Sequence, residues 1–81
     1  MMEDEIRHEV NQIVMDIFEL EADELTGEAD LHKVYGGDSI QKLELILALE
    51  KRFGLHYSLT EQAGMDCVND IVRVTAKHAR S

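Results

Sequence analysis

Proline and tryptophan are absent from this chain, cysteine occurs once, and the aromatic residues are two tyrosines and two phenylalanines. With no proline to break a helix, interruption falls to Gly27, Gly36, Gly37, Gly54 and Gly64. Cys67 alone allows neither an intramolecular disulfide nor a cysteine metal cluster, so it is expected to be a small buried thiol without redox chemistry. No apolar run approaches the roughly 20 residues that span a bilayer, and the opening Met-Met-Glu-Asp-Glu is acidic where a secretory signal is basic. A cytoplasmic protein without membrane contact is expected. His8, His32, His56 and His78 are scattered, with no pair at helical spacing and no companion thiolates, so no metal site is expected. The acidic stretch around Gly27 also misses the calcium-loop pattern. Aligning that glycine with the loop's glycine puts Ala22 first and Lys33 last, where acidic ligands belong.

Charge is abundant but one-sided. The net charge is −9; residues 1–38 hold 12 acids and 2 bases (−10), and residues 39–81 hold 5 acids and 6 bases (+1). Such a field repels nucleic acid and steers toward enzymes with a basic surface, besides keeping a small protein dispersed. Eighty-one residues suffice for one modest core, so residues 1–81 are expected to form one domain, acting as a monomer.

Apolar residues at Ile6, Val10, Ile13, Val14, Ile17 and Leu20 follow one helical face, with Glu3, Asp4 and Glu5 suited to its positive end. From Glu21 to Gly37 the periodicity dissolves into a long loop anchored by Leu31, Val34 and Tyr35. A loop of this length in a small domain usually serves a function. A second helix is predicted from Ser39 to Phe53, with Asp38 as N-cap, Gln41 completing a capping box, Lys51 and Arg52 at its negative end and Gly54 as its stop. Ser58 and Glu61 form another box before a short helix that Gly64 closes. Asp66 is read as the cap of a last helix, whose buried face is Val68, Ile71, Val72, Thr75, Ala76 and Ala79. The fold class is therefore all-α, a small four-helix bundle with a long loop between its first and second helices.

Gly36-Gly37-Asp38-Ser39-Ile40 delivers a hydroxyl to the first turn of a helix, where unpaired N–H groups and about half a positive charge favour a phosphate. Asp-Ser by itself is more often just a helix start. The surrounding residues point further. Leu31 through Gly54 resembles the attachment region of acyl and peptidyl carrier proteins, through Asp38-Ser39-Ile40, Glu44-Leu45, Ala48-Leu49-Glu50 and Phe53-Gly54, with a weaker likeness through the first helix and Val68-Asn-Asp-Ile-Val. The resemblance implies a non-catalytic carrier in which Ser39, beside Asp38, is esterified with 4'-phosphopantetheine by a phosphopantetheinyl transferase using coenzyme A. The arm's thiol then carries cargo between a loading enzyme and a ketosynthase or other transfer enzymes.

The helix after Ser39 departs from the strongly acidic one of housekeeping fatty-acid carriers. Lys42, Lys51 and Arg52 against Glu44 and Glu50 make residues 39–53 net +1. That departure favours dedicated enzymes, with polyketide or hybrid specialised metabolism preferred and a peptidyl carrier of non-ribosomal assembly as the alternative suggested by Gly36-Gly37. Apolar residues also cover more than half of this helix's circumference, beyond what one core stripe needs. Leu45, Ile46, Leu49 and Phe53 suit the core; Ile40, Leu43 and Leu47, with Glu44, either face partners or lie buried under the loop. A serine hydrolase is excluded, because the chain is too short for that layered fold and lacks both G-x-S-x-G and D-x-x-H. A helical adaptor without any prosthetic group is the remaining rival from another class.

Overall fold

The computed structural model describes residues 2–36 and 38–80, and Gly37 of the expected glycine break lies outside them. Helix α1 runs Glu3–Phe18 with Glu3, Asp4 and Glu5 in the first turn, and Glu5 reaches back to accept a hydrogen bond from the Met2 N–H at 3.1 Å. Its end is closed by Glu19 in the left-handed region (φ 56°), with the Leu20 N–H bonded to the Met15 carbonyl at 2.9 Å. Ile6, Val10, Ile13 and Val14 are buried, as the periodicity requires.

The long connection that follows is not structureless. It contains a 3-10 turn, Ala22–Glu24, and a short helix α2, Leu31–Tyr35, so the described residues hold five α-helices where periodicity gives four. Asp30 makes α2, because its carboxylate accepts from the N–H groups of His32 (2.9 Å) and Lys33 (3.0 Å). Five residues are too few for a periodic signal, so the cap was the readable sign. The connection is also stitched down. The Tyr35 hydroxyl donates to the Glu24 carbonyl (2.9 Å) and accepts from the Thr26 N–H (3.1 Å), while Leu31 N–H meets the Asp66 carbonyl and Asn69 N–H meets the Gly27 carbonyl, both at 2.9 Å.

Helix α3, Ser39–Phe53, begins with the expected reciprocal box: Asp38 accepts from Gln41 N–H at 2.8 Å, and Gln41 accepts from Asp38 N–H at 3.2 Å. Gly54 ends it at φ 65°, a conformation other residues adopt only at a cost. Helix α4, Leu59–Ala63, carries the Ser58 and Glu61 box, bonded at 3.1 and 2.8 Å. Helix α5, Val68–Arg80, starts later than a cap at Asp66 requires: the residue before it is Cys67, whose carbonyl accepts from Ile71 N–H at 3.1 Å. Asp66 instead offers its carbonyl to Leu31 and its carboxylate to Lys42. Cys67 is half-buried rather than buried, and its Sγ donates to Asp70 at 3.3 Å. On α5 Val68, Ile71, Val72, Thr75 and Ala76 are buried as expected, and so is Val74; Ala79 is exposed because it faces an open groove of about 210 Å³ beside Phe53 and Leu55.

The core gathers α1, α3 and α5 around Tyr57, Leu49 and Met65, with α1 packed against both α5 and α3. Tyr57 is wholly buried and its hydroxyl shares a 2.7 Å hydrogen bond with that of Thr75, which is buried as well. Burial pushes the Tyr57 hydroxyl pKa upward. No helix among the described residues is long and apolar enough to cross a membrane.

Candidate functional site

Ser39 stands at the first helical position of α3 and is exposed. Capping falls to its neighbour Asp38, which satisfies the Gln41 N–H, so the serine hydroxyl is not needed to start the helix. Gly36, at φ 70°, turns the chain out of α2 immediately before this point. The result is a hydroxyl at the positive end of a 15-residue helix, projected outward with an acidic cap on one side. A phosphodiester on that oxygen fits, since it adds bulk toward solvent and negative charge at a helix N-terminus.

The second apolar arc of α3 is bare. Ile40, Leu43 and Leu47 are 67%, 58% and 56% exposed, whereas Leu45, Ile46 and Leu49 are buried and Phe53 is partly so. Burial under the loop is thereby ruled out, for a physical reason. Leu31 turns into the core, Tyr35 spends its hydroxyl on the loop backbone, and Val34 is itself 60% exposed. Val34 is therefore not the buried anchor of the loop that the sequence suggests, whereas Leu31 is.

The charges of α3 are sorted by side. Lys42 is turned toward Asp66, with Nζ to Oδ1 at 3.9 Å, and Arg52 pairs with Glu9 of α1. Glu50 accepts from the Tyr57 N–H and lies 2.9 Å from His56 Nδ1, tying the end of α3 to the following turn. Glu44 and Lys51 remain exposed, and no ion pair among the described residues holds either. Lys42 thus leans toward a partner within the fold, whereas Lys51 stands open to solvent. One acid, Glu44, and one base, Lys51, flank the ridge, while Arg52 is paired within the fold and Lys42 is held only loosely. No cluster of metal-ligating residues occurs among the described residues.

Comparison with known proteins agrees with this geometry. Residues 8–74 match the family model described as a phosphopantetheine attachment site. An acyl carrier protein of Saccharopolyspora erythraea is 30% identical over 71 residues, covering 88% of this chain and 75% of that protein. Another from Akkermansia muciniphila is 29% identical over 77 residues, covering 95% of this chain and 96% of its own. Among solved structures, the acyl carrier protein of Enterococcus faecalis superposes with a TM-score of 0.81 at 27% identity, covering 95% of this chain and 98% of the other.

Proposed function

Since the chain belongs to the family of phosphopantetheine-bearing carriers, we propose that Ser39 is the residue that bears the arm and that Ile40, Leu43, Glu44 and Leu47 form the surface read by partner enzymes. The protein is an acyl-carrier-type protein that transports and does not catalyse. Its covalent 4'-phosphopantetheine supplies a terminal thiol on which an acyl group rides as a thioester. Everything else is the work of the polypeptide: α3 holds the esterified oxygen at an exposed, electrostatically receptive end, and Asp38 fixes that end by capping it.

The observation that carries the reading is the position of Ser39, exposed as the first residue of α3 behind a cap that leaves its hydroxyl unengaged in starting the helix. Intact mass after incubation with a phosphopantetheinyl transferase and coenzyme A tests it. The wild-type chain gains one arm, whereas Ser39→Ala gains none while its helical circular dichroism persists. An arm on the alanine variant, or on Ser58, refutes the assignment.

The cargo belongs to polyketide or hybrid specialised metabolism, served by dedicated loading and transfer enzymes such as a ketosynthase. Support comes from α3, whose outward face is neutral where the fatty-acid-type helix is strongly acidic; a basic docking surface gains little from it. Lys51→Glu, which restores an acidic outward face without touching an internal pair, is expected to improve handling by general fatty-acid elongation enzymes.

A further inference from the structure

The ion pair between Lys42 and Asp66 is loose. At 3.9 Å it lies beyond hydrogen-bond range, and the two side chains are 29% and 50% exposed. A pair of this kind holds its partners weakly. Lys42 also sits three residues after Ser39 on the same helix, so the two share one side of its first turn. Helical side chains lean toward the N-terminus, over the turn that precedes them, and this sends the Lys42 stem toward Ser39.

An arm on Ser39 brings a full negative charge into that turn. Asp38, next to it, is already negative and opposes the newcomer, while Gln41 is neutral. Lys51 lies a little over three turns further along, roughly 18 Å from Ser39 at 1.5 Å rise per residue. Within α3 Lys42 is the cation placed to offset both charges, and its present partner is easily given up.

We propose that Lys42 is the counter-ion of the arm's phosphodiester and exchanges Asp66 for it when Ser39 is modified. This rests on the reading of Ser39 as the attachment residue. The exchange makes Lys42 a positioning residue: it pins the root of the arm against α3 and frees the Asp66 carboxylate at the turn between α4 and α5. The backbone bond from Leu31 N–H to the Asp66 carbonyl stays in place, so the turn is released at its side chain only.

Nuclear magnetic resonance on the isotope-labelled 81-residue chain tests the exchange, with intact mass recorded on each sample. Modification of the wild type is expected to move the Asp66 carboxyl carbon to the position it has in unmodified Lys42→Gln. The phosphorus resonance of the modified protein is expected to shift in Lys42→Gln, to be largely restored in Lys42→Arg and to stay put in Lys51→Gln. If mass places the arm on Ser39 while the Asp66 resonance does not move, or the phosphorus resonance ignores Lys42→Gln, the counter-ion role is wrong and the attachment residue stands. A chain that gains no arm on Ser39 overturns both.

Discussion

Tyr57 and Thr75 answer one another's hydroxyls at 2.7 Å, both side chains being closed off from bulk solvent, and the Tyr57 backbone is held on both sides, by Glu50 at its N–H and by Gln62 at its carbonyl. Removing one member leaves the other buried and unsatisfied, which costs about 1–3 kcal/mol. Tyr57→Phe is therefore expected to lower stability by that amount in urea melts, and Thr75→Val added to it to recover part of the loss. A neutral single substitution contradicts this account. Such pairs were not visible in the sequence, where Tyr57 stands in a turn between two capped helices and nothing marks it as the centre of the core.

At the scale of elements, α3 has one buried and one exposed apolar face, to which the proposed function gives different duties, and substitution separates them. A charge at Leu43 or Leu47 meets solvent and is expected to change stability by no more than about 0.5 kcal/mol, while slowing modification or acyl transfer. Leu45→Ala empties a core site and costs about 2–5 kcal/mol. Denaturant melts distinguish the two, and a collapse caused by Leu43→Glu assigns that residue to the core. How legible each element was follows from how far its signals extend. The buried face of α1, the box of Asp38 and Gln41, and the boundary at Gly54 could be read directly, since periodicity and capping act within a few residues. The sorting of Lys42 toward Asp66 and Arg52 toward Glu9 could not, because it depends on which helix lies beside which. The start of α3 at Ser39 was legible through the residues around it; the exposure of the ridge beside it needed the loop's path.

Over the whole molecule, the charge of −9 sets two acid responses against each other. Protonation relieves self-repulsion, but it also removes carboxylates that hold helix starts. The Ser58 N–H, aided by His78, keeps Glu61 below the usual glutamate range, and the Lys33 N–H does the same for Asp30. Both groups bind protons less readily folded than unfolded, so their stabilisation is complete above the unfolded values and lost as pH falls out of the usual carboxylate range and through the lowered folded ones. Amide resonances of α2 and α4 are expected to broaden or shift there before those of α1 and α5, and Asp30→Asn to remove the effect in α2. Simultaneous loss of all helices speaks against it. The two backbone bonds from the connection to the far end of the chain, Leu31 to Asp66 and Gly27 to Asn69, also set an order of events in time. Each closes a long stretch of chain, so the loss of chain freedom precedes the reward. The segment that presents Ser39 is thus expected to settle late in folding, after the start of α5 has formed, and a chain still emerging during synthesis lacks the finished platform that the proposed attachment needs until α5 arrives.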